Sequence, residues 1–277
     1  MIRLRSLSTL LGILIVAGVL LAALFAPLLA PHDPFLQNLG QRVAPPFWME
    51  KSLPDHLLGT DQLGRDYLSR LLYGARISLV IGILTVVASG VIGIGLGMAG
   101  GYFGGRVDSV VMFVITCRLS IPLVLVALTV VALVGSSLTV IILTLGLLLW
   151  ERFAVVARTT TMQVSRREYI DAARAAGAST PAILWREVLP NILPHLVVVA
   201  TLEIAIAILL EAALSFLGLG VPAPQPSWGL MIAEARDFMF FTPWVIMIPG
   251  MALFVLVLGI NLLGDGLRDL ASGERSR

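Results

Sequence analysis

Six long apolar stretches constrain this chain more than any other feature of its sequence. They run approximately over residues 7–29, 77–98, 110–134, 138–157, 196–219 and 244–263. Each is close to the roughly 20 residues that a helix needs to cross a hydrocarbon core about 30 Å thick. Because lipid offers no hydrogen-bond partner to exposed backbone groups, such segments are expected to be helices. The sequence therefore predicts an all-α, polytopic membrane bundle with six transmembrane helices.

Composition supports a membrane location and narrows the classes of function. Hydrophobic residues make up 58% of the chain and charged residues 13%, against about 45–50% and 25% in soluble domains. The formal charge is only +2, and the arginines are scattered among apolar stretches, which argues against nucleic-acid binding. The single cysteine excludes an internal disulfide. We expect one transmembrane domain over residues 1–277, in contact with membrane lipid and without a separate soluble domain.

The positions of arginine and lysine predict the orientation of the helices. If the N-terminus is cytoplasmic, six crossings return the C-terminus to the cytoplasm and leave outer loops over residues 30–76 and 220–243. The inner segments then hold twelve arginines: Arg3, Arg5, Arg106, Arg152, Arg158, Arg166, Arg167, Arg174, Arg186, Arg268, Arg275 and Arg277. The outer segments hold six basic residues: Arg42, Lys51, Arg65, Arg70, Arg76 and Arg236. Basic residues favour the cytoplasmic side, so both termini and the loop over residues 158–194 are expected there.

This predicted cytoplasmic loop contains the signals of two short helices joined by a glycine. Ser165 followed by Glu168 fits an S-x-x-E capping box, and Gly177 suits the left-handed end of a helix. Thr180 can cap a second helix that has a proline at its first position, and Pro190 is expected to end it. The loop therefore predicts a helical hairpin.

The two predicted helices present different faces. On the first, Tyr169, Ala172 and Ala173 share one face while Asp171 stands on another, and a face lined with alanine lets another surface come close. On the second, an apolar stripe that includes Leu189 lies opposite charged residues. From these patterns alone, two interpretations stay open: a hairpin that lies on lipid headgroups and a docking site for a partner protein.

Four segments, in order along the chain, carry a resemblance to a known family. DAARAAG, followed after eleven residues by LP, resembles the cytoplasmic EAA loop of the membrane subunits of bacterial ABC importers, with Asp171 where the general pattern has glutamate. The other segments are HLLGTDQLGRDYLSRLLYGARISLVIG, ALSFLGLGVPAPQPSWGLMIAEARDF and NLLGDGLRD. They resemble the dipeptide, oligopeptide and nickel permeases, in particular the subunit type with a long outer loop after the first transmembrane helix.

The resemblance implies a coupling site, an assembly and a cargo class. In that family the EAA loop fits into a cleft of the ATPase subunit. The residues implied for this contact are Glu168, Tyr169, Asp171, Ala172, Ala173, Gly177, Leu189 and Pro190. Such a permease works in the bacterial inner membrane with a homologous second permease, two ATPase subunits that bind ATP and Mg²⁺, and an extracytoplasmic substrate-binding protein. The implied cargo is a peptide or a related small solute such as a nickel complex.

The chain itself lacks the residues for ATP hydrolysis. A P-loop needs a lysine that reaches the terminal phosphates, and the only lysine is Lys51, in WMEKSLP. Nor do any two of His32, His56 and His195 share a helix face at metal-ligand spacing. We therefore expect no catalytic residue, no cofactor-binding residue and no metal site in this chain.

Charged and small residues within the apolar stretches suggest internal contacts. Arg118 and Glu203 lie at similar predicted depths, and a buried charge in lipid is usually paired or functional. We predict an ion pair between them, while separate contacts with water remain the alternative. Two interpretations stay open for Glu211, lining of the translocation path and contact with the membrane interface, and the resemblance to the permeases favours the path. Glycines spaced by four residues let another helix approach closely, so the face that holds Gly93, Gly97 and Gly101 is expected to pack within the bundle or against a sister subunit.

Two other classes of function were weighed against the importer permease. A self-contained secondary transporter should show an internal repeat and broken helices at its substrate site, and no convincing repeat relates the two halves of this sequence. An intramembrane hydrolase would need a serine near a histidine, or two acids, inside the bilayer. Because no apolar stretch contains a central histidine, hydrolysis has the least support.

Overall fold

The computed structural model describes residues 7–273, which form long helices joined by short connections and one extended loop. The helices are α1 (Leu7–Leu24), α2 (Ala26–Leu29), α3 (Tyr67–Phe103), α4 (Gly105–Leu119), α5 (Leu123–Val134), α6 (Leu138–Leu148), α7 (Glu151–Val164), α8 (Glu168–Ala175), α9 (Thr180–Ile183), α10 (Leu189–Phe216), α11 (Trp228–Ala235) and α12 (Trp244–Gly273). Apart from an isolated bridge between Thr60 and Asp66, residues 7–273 contain no β-structure. Four arginines used to predict the orientation lie outside the described residues: Arg3, Arg5, Arg275 and Arg277.

Within residues 7–273, five helical segments are long and apolar enough to cross a membrane. They are Leu7–Leu24, Tyr67–Phe103, Leu138–Val164, Thr180–Phe216 and Trp244–Leu270. The remaining predicted helix, over residues 110–134, is instead a pair of helices, α4 and α5, which meet at 80°. Each is too short to cross a membrane alone, and only the two together are long enough for one span. Pro122 stands at the N-cap of α5. Since the residue before a proline avoids the helical conformation, the break falls at Ile121.

The second span, α3, is the central helix of the bundle and begins earlier than the sequence indicated. It starts at Tyr67 rather than at residue 77, and Asp66 caps it by accepting a hydrogen bond from the backbone N–H of Ser69. Helix α3 packs against α6, α7 and α10. Its 37 residues correspond to a length of about 55 Å. This helix therefore links the two ends of the molecule.

Helices α3 and α7 pack in close contact along a row of glycines. A side chain at Gly93, Gly97 or Gly101 would collide with the α7 backbone, at the carbonyl oxygens of Trp150, Ala154 and Arg158 respectively. The glycine face therefore packs inside this chain rather than against another subunit. Arg158 of α7 also forms a two-pronged salt bridge with Asp108 of α4, which fixes the start of α4 against the same helix.

Different elements surround the two ends of α3. At its N-terminal end lie α11 and the loop over residues 30–66, and we call this region the loop end. At its C-terminal end lies α8, because Arg174 Nε is 3.3 Å from the hydroxyl oxygen of Tyr102. We call this region the hairpin end.

Candidate functional site

The hairpin between α7 and α10 is the first candidate site, and its first helix, α8, begins differently from the prediction. Ser165 is the C-cap of α7, and Arg167 is the N-cap of α8 without a side-chain hydrogen bond. The predicted capping box between Ser165 and Glu168 is therefore wrong. Helix α7 ends at Val164, about two turns beyond the predicted end of the fourth span at Ala157. Its last turn therefore uses Ser165, whose backbone N–H donates to the carbonyl of Thr161 at 2.8 Å.

Gly177 ends α8 in the left-handed conformation, as the sequence indicated. Its φ is +81°. The N–H of Ala178 donates to the carbonyl of Ala173 at 3.0 Å, and the N–H of Gly177 donates to that of Arg174 at 2.9 Å. These two hydrogen bonds define a Schellman motif, in which glycine avoids the penalty of a Cβ atom at positive φ. The corner of the hairpin is thus built by the backbone of one glycine.

The second arm of the hairpin continues without a stop into the fifth span. Ser179, not Thr180, is the N-cap of α9, and it makes no side-chain hydrogen bond. The expectation that Pro190 ends this helix is also wrong, because a π-helical turn over Leu184–Val188 leads directly into α10. Such a turn shifts the hydrogen-bond register just before the proline, where a backbone donor is missing and the ring needs space. Residues Thr180–Phe216 therefore form one continuous helical rod, from the second arm of the hairpin to the end of α10.

Three aliphatic side chains hold the hairpin against the bundle while the rest of its surface is open. Ile170, Ile183 and Val188 are at most 1% exposed and pack with residues of α7 and α10. By contrast, Glu168, Tyr169, Asp171, Ala172 and Gly177 are exposed, and Ala173 and Leu189 are half-buried. Arg174 pairs with Asp171 at 3.2 Å and lies over the ring of Tyr102. The arrangement can transmit a push on the exposed face directly into α10.

The predicted ion pair between Arg118 and Glu203 does not form. Arg118 donates to the carbonyl of Leu148 and lies 3.8 Å from Glu151, whereas Glu203 lies 3.3 Å from Arg152. The reason is the break between α6 and α7. It leaves a terminal carbonyl without a helical partner, which Arg118 satisfies, and it places two charged neighbours in the middle of a membrane span. Each of them pairs with a different residue.

Contrary to the prediction, Glu211 does not line an open path. Its carboxylate is 1% exposed and accepts hydrogen bonds from Ser215 at 2.7 Å and Ser227 at 2.9 Å. Ser227 in turn caps α11 by accepting the N–H of Leu230 at 3.0 Å. A buried carboxylate needs such donors to offset the loss of water. Glu211 therefore joins the end of α10 to the start of α11.

The loop end holds a buried charge cluster that is absent from the predicted site residues. Asp61, Arg65 and Arg70 are at most 2% exposed. Asp61 lies 2.5 Å from Arg65 and 3.3 Å from Arg70, and Glu234 of α11 lies 3.1 Å and 2.7 Å from the same two arginines. The i, i+4 spacing of Asp61 and Arg65 was a visible signal. Their partner in α11 is 169 residues away, which no local pattern indicates.

An all-helical membrane domain with an exposed helical hairpin between two spans is the architecture of a permease subunit in ABC importers. Residues 91–272 match the family described as "Binding-protein-dependent transport system inner membrane component". Residues 7–46 match "N-terminal TM domain of oligopeptide transport permease C". The chain belongs to the family of binding-protein-dependent transport system inner membrane components.

Curated relatives and a solved structure agree with this assignment. The chain is 42% identical over 258 residues to the "Di/tripeptide transport system permease protein DppC" of Pseudomonas aeruginosa, covering 93% of this chain and 85% of that protein. It is 42% identical over 265 residues to the "Dipeptide transport system permease protein DppC" of Escherichia coli K12, covering 96% and 88%. A chain of the inward-facing MetNI methionine ABC transporter shares the fold, with a TM-score of 0.58, 20% identity, and coverage of 74% of this chain and 95% of that one.

The family assignment fixes the general role of the molecule. It is a membrane-embedded permease subunit of an ABC importer, which works with ATPase and substrate-binding partners. A self-contained secondary transporter is not favoured.

Proposed function

We propose that this chain forms half of the translocation path of a peptide importer in the bacterial inner membrane. The named relatives are permeases for dipeptides and for di- and tripeptides, which supports a short peptide as cargo over a nickel complex. The hairpin end faces the cytoplasm, as do both termini, and the loop end faces outward. The separation of arginines along the sequence supports this orientation.

The observation that carries the proposal is the exposed hairpin whose second arm is continuous with α10. ATP-driven closure of a pair of ATPase subunits moves the clefts into which the hairpin fits. The exposed residues Tyr169, Asp171 and Ala172 make the contact, while Ile170 and Ile183 keep the hairpin fixed to the bundle. Because Leu189 and Pro190 lie within one rod with α10, movement of the hairpin tilts that helix. The tilt contributes to switching between inward-open and outward-open states.

ATP and Mg²⁺ bind to the ATPase subunits and not to this chain, which has no P-loop lysine. A homologous second permease completes the path. The bent α4–α5 segment is suited to line it, because Thr116, Ser120 and Thr129 are exposed there. Each hydroxyl donates to a carbonyl of the preceding turn at 2.8–2.9 Å and keeps free lone pairs for water or a peptide. An extracytoplasmic binding protein delivers the cargo at the loop end.

The test compares a charge placed on the hairpin with the same charge placed at the other end. Ala172→Glu puts a carboxylate on the exposed face of α8, and Ser136→Glu puts one in the exposed turn between α5 and α6. An uncompensated charge buried in a protein contact costs about 3 kcal/mol or more, so Ala172→Glu should weaken ATPase association about a hundredfold or more. Ser136→Glu should leave it unchanged.

Association is measured by co-purification of the permease pair with its ATPases, and function by uptake of labelled dipeptide into proteoliposomes. If Ala172→Glu retains both the ATPases and peptide-dependent ATP hydrolysis, the hairpin is not the coupling element. If the wild-type complex transports other solutes but not short peptides, the cargo assignment fails while the coupling assignment stands.

A further inference from the structure

Three side chains that are far apart in sequence meet beside the N-terminus of α3 at the loop end. His32 follows α2, His56 belongs to the extended loop, and Asp66 is the N-cap of α3. One ligand atom from each lies within 4.8 Å of the other two. Nδ1 of His56 is 2.9 Å from Oδ1 of Asp66, and Nδ1 of His32 is 3.6 Å from the same oxygen. The expectation of no metal site in this chain was based on helix spacing, which does not detect ligands brought together by a loop.

The environment of the cluster is largely closed to solvent. His56 is 8% exposed and Asp66 is 2% exposed, while the His32 side chain is 35% exposed. Nevertheless, Nδ1 of His32 is buried and has no hydrogen-bond partner. A buried ring nitrogen without a hydrogen-bond partner costs desolvation free energy. A ligand on this atom would offset that cost.

Neighbouring amides determine which nitrogen of His56 carries a proton. Asn38 uses Oδ1 to accept the backbone N–H of Gly40 at 3.2 Å, so its amide nitrogen points toward Gln41 and donates to Oε1 at 2.8 Å. The same Oε1 lies 3.3 Å from Nε2 of His56. Because Oε1 can only accept, Nε2 must be the protonated nitrogen. The Nδ1 lone pair of neutral His56 then points at a carboxylate oxygen. This repulsion is removed by a positive charge between the two atoms, either a proton on Nδ1 or a bound metal ion.

We propose that Nδ1 of His32, Nδ1 of His56 and Oδ1 of Asp66 bind one divalent transition-metal ion of the zinc type. Two imidazoles and one carboxylate are ligands that Zn²⁺ accepts, with a water molecule at the fourth position. Tetrahedral bonds of about 2.0–2.2 Å place ligand atoms about 3.3–3.6 Å apart. The 3.6 Å between His32 Nδ1 and Asp66 Oδ1 matches this spacing, and the 2.9 Å between His56 Nδ1 and Asp66 Oδ1 is shorter, so the His56 ring must move outward slightly when an ion binds. Gln41 is the outer partner that orients the His56 ring, as metal-bound histidines require.

The ion would cross-link parts of the loop that are distant in sequence. It joins the chain at residues 32, 56 and 66 and closes the segment between α2 and α3. The second oxygen of Asp66 accepts the Ser69 N–H at 2.7 Å, so the same side chain fixes the metal site to the first turn of α3. The ion is therefore structural and separate from the cargo.

The experiment uses the full-length chain, purified in detergent with an affinity tag free of histidine and stripped with a chelator. Zn²⁺ binding is measured by calorimetry, and Co²⁺ is added as a spectroscopic probe whose visible absorption reports tetrahedral nitrogen and oxygen ligands. We expect one equivalent of Zn²⁺ to bind, the Co²⁺ spectrum to appear, and Zn²⁺ to raise the unfolding temperature by mass action.

His32→Ala is the main variant, since this side chain is partly exposed and its loss should not prevent folding. It should lose the Co²⁺ spectrum, the Zn²⁺-dependent rise in unfolding temperature and at least tenfold in affinity. Gln41→Leu should weaken binding about 10–100-fold through the outer partner. His195→Ala, at the hairpin end, is the matched control and should bind as the wild type does.

Two results would overturn the proposal. One is a wild-type chain that takes up no stoichiometric Zn²⁺ and gives no tetrahedral Co²⁺ spectrum, a measurement that depends on no variant. The other is His32→Ala binding Zn²⁺ with wild-type affinity, which would assign the ion to other ligands.

Discussion

The loop end and the hairpin end of α3 are held together by opposite kinds of interaction. At the loop end, the buried Arg65 and Arg70 each pair with both Asp61 and Glu234. At the hairpin end, the charged side chains Asp171 and Arg174 are exposed, and three aliphatic residues together with one glycine corner shape the hairpin. The first region has satisfied most of its polar groups within the chain. The second presents its polar and small residues outward.

This difference indicates where the chain needs a partner to be complete. Charges that are buried and mutually bonded contribute to a fixed geometry, and removing one leaves the others unpaired. Exposed charges beside alanines cost nothing to leave in water and are free to meet another surface. The proposed function, in which cargo arrives at the loop end and the ATPases act on the hairpin, requires such a division. We therefore expect substitutions at the loop end to change stability and substitutions at the hairpin to change coupling.

The largest effect is expected from Arg70→Met. Arg70 is fully buried, and its loss leaves the carboxylates of Asp61 and Glu234 with Arg65 alone. Breaking a buried charge network in this way costs about 3–5 kcal/mol. The measurement is thermal unfolding of the purified chain in detergent. Arg236→Met, which removes an exposed arginine from the segment after α11, is the control. Equal unfolding temperatures for the two variants would contradict the role of the buried network.

An effect of intermediate size is expected from Gly97→Ala, which tests the contact between α3 and α7 along the helix that links the two ends. In Gly97→Ala the new methyl group would collide with the Ala154 carbonyl and lie 2.7 Å from Cβ of Ala157, so α3 and α7 must separate at a cost of about 1–3 kcal/mol. Gly95→Ala lies on the same helix, where nothing is within 4 Å of the new atom. Because alanine has a greater helix propensity than glycine, Gly95→Ala should leave the stability of the fold unchanged or raise it slightly.

Both glycine variants are compared by unfolding temperature and by peptide-stimulated ATP hydrolysis in the assembled transporter. A loss in Gly97→Ala alone would show that tight contact between α3 and α7 is needed. Equal behaviour of the two variants would mean that the bundle tolerates separation of these helices.

The features of the fold and of the candidate site that the sequence predicts are those that depend on local patterns of residues. The helical bundle and the glycine face depend on apolar periodicity and four-residue spacing, and both are visible in the sequence. Gly177 likewise follows from a local rule about helix ends. By contrast, the partners of Arg118 and Glu203 depend on the break between α6 and α7, which falls at Leu149 and Trp150, where neither proline nor glycine marks it in the sequence. Similar predicted depths suggest pairing but do not identify the partner of either residue.

The candidate metal ligands show the same limit more strongly. His32, His56 and Asp66 are separated by long segments of loop, and no helix or strand period relates them. Only the folded loop, pinned by Asn38 and Gln41, brings them together. Similarly, the signals at Thr180 and Pro190 were interpreted by rules for isolated helices, whereas the π-helical turn lets the chain pass through the proline into α10. Local rules fail where tertiary contacts supply the missing hydrogen bonds.

The smallest effect on stability is expected from Gly177→Ala, and here the molecule provides a matched partner. Gly218 ends α10 at the loop end with the same Schellman hydrogen bonds, and the φ angles of the two glycines are +81° and +82°. No atom lies within 4 Å of an added Cβ at either position. Alanine should therefore cost about 1–2 kcal/mol of local strain at each site and nothing from collision.

The two variants should nevertheless differ in function. In Gly177→Ala the strain is relieved by loosening α8, so hydrogen exchange in α8 should rise and peptide-stimulated ATP hydrolysis should fall severalfold. In Gly218→Ala the same strain appears at the loop end, away from the proposed ATPase contact, and stimulation should stay close to that of the wild type. Similar losses in both variants would show that general weakening of α10, and not the shape of the hairpin, limits coupling.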